Sequence, residues 1–260
     1  MFSDYSAPPL WQNGPSLGKY HDFPNVPCNK SSTNTSGKQR FHTPLTTGTS
    51  VLGLVFNGGV ILAADSAGYY GSMMRFNDCP RIMQINKFTI LGAGNDYADF
   101  QYLNDIVKQK ILDDDLHNDG FVLKPKSLHS WLTRVLYNRR SQFDPLWINA
   151  FVAGMQNGEP FLGTVDKLGT AYEDKILSFG FGTHIAVPLL RQETEKNPQM
   201  SKEEAIALIK TCMDLLYVRD ARSGAKYHIG VITNEGSEIQ GPFLSTGKWD
   251  IALYGTPGQE

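Results

Sequence analysis

The sequence predicts an α+β fold, a four-layer αββα sandwich with two antiparallel sheets held between helix pairs. Three observations carry that expectation. Strands arrive as hairpins, two of them turning on Asn-Gly, at Asn57-Gly58 and Asn157-Gly158, a pair suited to the positive φ of a type I′ turn. Helical patterns arrive in pairs between the strand blocks, which places them in separate outer layers. The runs of the first hairpin are nearly continuous in apolar residues, so both faces should be covered. The order is not a βαβ alternation, which argues against a Rossmann-type sheet.

Taken in order, residues 1–40 read as a flexible leader. Pro8, Pro9, Pro15, Pro24 and Pro27 interrupt any helix, and Lys30–Arg40 is polar without an apolar period. The folded domain is expected over residues 41–245. Its organising stretch is Gly48–Asp65, GTSVLGLVFNGGVILAAD, with strands at Val51–Phe56 and Val60–Ala64. Thr49 is expected to open the first strand, and Asp65 to close the second. Ala67–Arg75 reads as a connection, followed by strands at Ile82–Ile85 and Phe88–Ala93. Helices follow at Asp96–Leu112 and Pro125–Phe143, where apolar residues recur every three or four positions. Asp113–Gly120 between them reads as an acidic loop. Strands at Trp147–Met155 and Pro160–Val165 flank the second Asn-Gly turn, with an edge strand near Ala171–Lys175. Gly180-Phe181-Gly182 leads into a helix through Ile185–Glu195. Ser201 and Glu204 form a capping box for the next helix. A hairpin of His228–Thr233 with Ile239–Phe243 closes the domain, and residues 246–260 read as a C-terminal tail.

Composition excludes several classes. A formal net charge of −2 over 260 residues gives no reason to expect nucleic acid as a partner. No apolar run is long enough to span a bilayer, and the first residues lack the pattern of a secretion signal. Cys28, Cys79 and Cys212 are far apart and without metal-type spacing, consistent with reduced thiols in the cytoplasm or nucleus. The sequons at Asn29 and Asn34 are then expected to stay unmodified. GxSxG, Walker A and HExxH motifs are absent. His129 and His184 have no ligand-type residue one turn away, so no metal or cofactor is expected. Trp131 and Trp147 read as core or interface residues.

What remains is Gly48-Thr49 before one strand and Asp65 after the next. GTSVLGLVFNGGVILAADS resembles the opening of a proteasome β subunit, and the likeness covers residues 41–245. The runs TGTSVLG, FNGGVILAAD, GSMMRF, DYADFQYL, HSWLTR, YNRRS, DPLW and RDARS together resemble a non-catalytic type of β subunit rather than the active ones. The resemblance implies the N-terminal-nucleophile (Ntn) hydrolase fold. In active members a Gly-Thr bond is cut to free a threonine that is both nucleophile and, through its amine, base.

Carried over by position, the nucleophile falls on Thr49 and the strand-end aspartate on Asp65, both matching. The later aspartate and serine match at Asp220 and Ser223. The lysine beside the nucleophile is replaced by Arg81, whose guanidinium is expected to stay charged and to pair with Asp65. The oxyanion glycine falls near Asn95, and the serine of a Gly-Ser-Gly turn is replaced by Phe181. The resemblance also implies trimming upstream of Thr49, near Arg40-Phe41, by an active neighbour acting in trans. These positions are therefore expected to be vestigial, with no catalytic residue. The implied function is structural: completing a seven-membered β ring and helping to join half-particles in ubiquitin-dependent protein degradation. Implied partners are the other α and β subunits of a twenty-eight-subunit hetero-oligomer and assembly chaperones, in cytoplasm and nucleus. The rival expectation is an active threonine endopeptidase self-cleaved at Gly48-Thr49.

Overall fold

The computed structural model describes residues 46–120 and 122–247. In chain order the elements are β1 (Thr47–Gly48), β2 (Val51–Phe56), β3 (Gly59–Asp65), β4 (Gly68–Tyr70), β5 (Met73–Phe76), β6 (Ile82–Asn86) and β7 (Thr89–Asp96). Helices α1 (Tyr97–Leu116) and α2 (Pro125–Ser141) follow. Then come β8 (Ile148–Gln156), β9 (Glu159–Val165), β10 (Ala171–Glu173) and β11 (Ile176–Phe179). Helices α3 (Gly182–Lys196) and α4 (Lys202–Arg219) precede a final pair, β12 (Lys226–Thr233) and β13 (Gly236–Leu244).

The strands form two antiparallel sheets. One runs β10-β9-β8-β7-β1-β4-β5, with β6 also on β7; the other runs β11-β2-β3-β12-β13. Side-chain alternation sorts residues into three apolar layers. From β2 and β3, Leu52, Leu54, Phe56, Ile61 and Ala63 pack outward against α3 and α4. Val51, Val60, Leu62 and Ala64 point the other way, meeting Ile90, Phe151 and Leu162 between the sheets. On the far side, Leu91, Ile148 and Val152 pack beneath Leu103, Leu132 and Leu136 of α1 and α2. This is the expected αββα sandwich, with β2–β3 as a central hairpin covered on both faces.

The local chemistry explains the departures from the sequence reading. Thr49 does not open a strand: it lies between β1 of one sheet and β2 of the other, where the chain crosses over. The Ala67–Arg75 connection folds as the β4–β5 hairpin, where Gly68 and Tyr69 are buried but Tyr70 and all of β5 are exposed, so no buried alternation runs through both strands. The segment expected as one edge strand near Ala171–Lys175 is two strands, β10 and β11, on different sheets. Asp113–Leu116 extends α1 rather than looping, supported by Gln109 and Lys110 bonding Asp113 and Asp114 one turn on. At Asn157-Gly158 both residues take positive φ, 55° and 82°, but at the first turn only Gly58 does. There the Asn57 amide donates to the Met200 carbonyl at 3.1 Å, so a contact from the α3–α4 connection sets the turn. The capping box is present: Ser201 and Glu204 bond each other's backbone amides. Cys79 and Cys212 are buried free thiols; Cys28, Asn29 and Asn34 lie outside the described residues.

Candidate functional site

The crossover at Thr49-Ser50 lies beside the end of β3, and this juxtaposition builds the site. The Thr49 hydroxyl donates to Asp65 Oδ1 at 2.7 Å. Asp65 is 1% exposed, and its other oxygen accepts from the Gly224 amide at 2.7 Å. Arg81, immediately before β6 and 2% exposed, reaches into the same place. Its Nε donates to the Asp65 carbonyl at 3.1 Å, and Nη1 to the Thr49 carbonyl at 2.7 Å. Its Nη2 donates to the Ser50 carbonyl at 3.1 Å and to the Asp65 carboxylate, closing a buried ion pair.

These contacts assign four of the five guanidinium N–H groups. Three of the acceptors are backbone carbonyls near the two strand ends. Burial pushes the Arg81 pKa down to about 9, below the sequence expectation of an unperturbed guanidinium. At neutral pH it is still a cation, with only about 1% neutral at two units below its pKa. The side chain acts as a fixed positive clamp.

Gly48 has a packing reason to be glycine. A Cβ there would lie 2.5 Å from Arg81 Cδ and 2.8 Å from Nε, so any side chain would collide with the clamp. Gly48 also pairs with Asn95 across β1 and β7, while Thr47 pairs with Asp96 on β7 and with Tyr69 on β4. The residues just before Thr49 are thus a strand joining the β4–β5 hairpin to the rest of its sheet. As long as the Gly48-Thr49 bond is intact, the Thr49 nitrogen is an amide without a basic lone pair.

The other sequence-selected positions divide. Asn95 stands opposite Gly48 with φ of 83°, a left-handed conformation that favours glycine and that asparagine tolerates. Asp220 caps α4 and turns inward on its own loop, accepting from the Arg222 amide at 2.9 Å and, through its carbonyl, from Ser223 at 3.0 Å. Its described hydrogen bonds do not touch Thr49, Asp65 or Arg81. Ser223 is buried and adjoins Gly224, which does reach Asp65. Phe181 is exposed, while Gly180 and Gly182 beside it abut Ser50; the Gly182 amide donates to Ser50 Oγ at 2.9 Å. Sequence alone does not point to these roles of Gly48, Ser50 and Gly224, since short glycine and serine contacts leave no periodic signal. Arg40, Phe41 and residues 248–260 lie outside the described residues. Buried His129 faces the Thr164 carbonyl at 3.1 Å, and among the described residues no His, Cys, Asp and Glu cluster could hold a metal.

A four-layer αββα sandwich with a threonine at the crossover and an aspartate at the end of β3 defines the class of Ntn-hydrolase-like subunits. The family model described as Proteasome subunit matches residues 45–232, and the chain belongs to that family. It is 48% identical over 239 residues to a Xenopus laevis protein named Proteasome subunit beta type-4, covering 92% of this chain and 95% of that protein. It is 40% identical over 262 residues to a Drosophila melanogaster protein of the same name, covering 97% and 98%. A Saccharomyces cerevisiae relative named Proteasome subunit beta type-7 is 37% identical over 227 residues, covering 82% and 85%.

Proposed function

We propose that this chain is the non-catalytic beta type-4 subunit of the 20S proteasome core, where it completes the β ring, walls the proteolytic chamber and supports the joining of half-particles. The observation that carries the reading is Arg81. An N-terminal threonine peptidase needs a group near the hydroxyl that can take and return a proton. Arg81 stays cationic at neutral pH, and four of its donors are committed to backbone carbonyls and Asp65. With trimming upstream of Gly48 rather than at Thr49, the Thr49 nitrogen stays peptide-bonded and offers no substitute base. Thr49, Asp65, Asp220 and Ser223 therefore serve as structural residues.

In this reading residues 1–40 are a leader removed near Arg40-Phe41 by an active neighbour, 41–245 are the ring domain, and 246–260 are a tail reaching the opposite ring. The partners are the other α and β subunits, with assembly chaperones, in cytoplasm and nucleus, serving ATP- and ubiquitin-dependent degradation. The test is intact mass spectrometry of the assembled subunit together with a threonine-directed epoxyketone probe. The expected result is an N-terminus upstream of Gly48 and no labelling. A mature N-terminus at Thr49 with covalent labelling would replace this reading by the self-cleaved endopeptidase.

A further inference from the structure

Helix α2 has two unlike faces. Leu128, Trp131, Leu132, Val135 and Leu136 are buried against the sheet, while Arg134, Tyr137 and Arg140 are exposed. The helix contains no acidic residue. Just beyond it, Phe143 takes φ of 57° and is 91% exposed. A bulky side chain in the left-handed region is a genuine outlier, where glycine or asparagine would sit without strain. The turn is held on both sides: the Phe143 amide donates to Arg140 O and the Asp144 amide to Arg139 O, each at 3.1 Å. Arg139 also pairs with Asp144 at 3.0 Å, neutralising the nearest carboxylate. The fold therefore holds an aromatic ring out in solvent, in a conformation costly to that residue, where burial does not repay it. Arg140 lies over the exposed Tyr137 ring at 5.5 Å, one turn before Phe143.

We propose that Phe143, flanked by Arg140 and Tyr137, is an anchor for an adjoining subunit, inserting into an apolar pocket rimmed by carboxylates. Arginine and large aromatics concentrate the binding energy of interfaces when they fill a desolvated pocket. The sign of the partner follows from Arg134 and Arg140, exposed on a helix that carries no acidic residue. The inference rests on the proposed role as a subunit of a larger particle and names one contact within it.

The test uses the full chain, tagged and expressed where it assembles. With p-benzoylphenylalanine in place of Phe143, ultraviolet light should cross-link it to one other subunit, through a peptide carrying Asp or Glu. Phe143→Asn should leave the thermal midpoint of the isolated chain unchanged or raised, yet lower incorporation about threefold or more against a wild-type copy in the same cells. Arg140→Glu should lower incorporation likewise. Equal incorporation of both variants, no cross-link within the assembled particle, or a cross-link to a basic surface or a second copy of this chain would each overturn the inference alone. Failure of the wild-type chain to enter any multi-subunit particle would overturn the proposed role as well.

Discussion

Replacing Arg81 by methionine should destabilise the fold far more than loss of a typical surface charge. Methionine retains much of the aliphatic stem, so the change isolates the guanidinium and its hydrogen bonds. It leaves the buried Asp65 carboxyl without its cation, with Thr49 and Gly224 as its remaining described donors. It also strips Arg81 from the carbonyls of Thr49, Ser50 and Asp65. Breaking a buried ion pair by removing one partner costs about 3–5 kcal/mol. For a chain of this size that is roughly 6–20 °C in thermal midpoint. Asp65→Asn removes the unpaired carboxyl, so the double variant Arg81→Met/Asp65→Asn should be less damaged than the two single losses summed, by about 2 kcal/mol or more. Urea unfolding of the four chains, followed by tryptophan fluorescence, measures the cycle. Strict additivity, or an Arg81→Met loss below about 1 kcal/mol, would show that the clamp does not hold the crossover together.

Gly48→Ala should cost about 1–3 kcal/mol by driving a methyl group into the Arg81 stem, measurable in the same unfolding assay. Cys212 is held up to about 12 by burial, so it should resist thiol reagents at pH 8 in the folded chain and react on unfolding. Its raised pKa contributes stability that is complete below the unfolded value near 9 and is lost as pH rises through about 12; Cys212→Ala should flatten that alkaline decline in a pH series of midpoints. His228 has its pKa lowered, by burial first and against the opposing pull of Asp78. Folding therefore favours the neutral ring, and stability present above pH 6.5 should fall as pH drops from 6.5 through the folded value; His228→Asn should remove that acid-side slope.

The layers were legible because they depend on repeating patterns. Alternation in β2 and β3 and three-to-four spacing in α1 and α2 each leave many residues saying the same thing. The capping box was legible because two side chains and two amides satisfy one another locally. Elements set by tertiary contacts were not. β1 is two residues long and exists because β7 and β4 flank it. The β4–β5 hairpin hides its strand character in exposed tyrosine, methionine and phenylalanine. At the site, the pairing of Arg81 with Asp65 could be anticipated from charge and position. The capture of three carbonyls could not, because carbonyl direction is set by where the chain changes sheets.

That capture explains why a lysine would not be a conservative replacement at position 81. The crossover gathers carbonyls of Thr49, Ser50 and Asp65 around one buried carboxylate, an arrangement that is stable only around a cation. A guanidinium spreads five donors over a planar fork and serves all four acceptors while holding its proton. An ammonium offers three donors from one atom, leaves an acceptor unserved, and shifts its pKa readily when buried. Arg81→Lys should therefore destabilise the chain by roughly 1–3 kcal/mol, the loss of one or two charge-assisted bonds. It should still show no peptidase activity while the extension remains, since the Thr49 nitrogen is then acylated by Gly48. Fluorogenic peptide turnover paired with intact mass measures both consequences. Turnover by this variant with the Gly48-Thr49 bond intact would show that the hydroxyl needs no terminal amine here, and that Arg81 alone keeps the site silent.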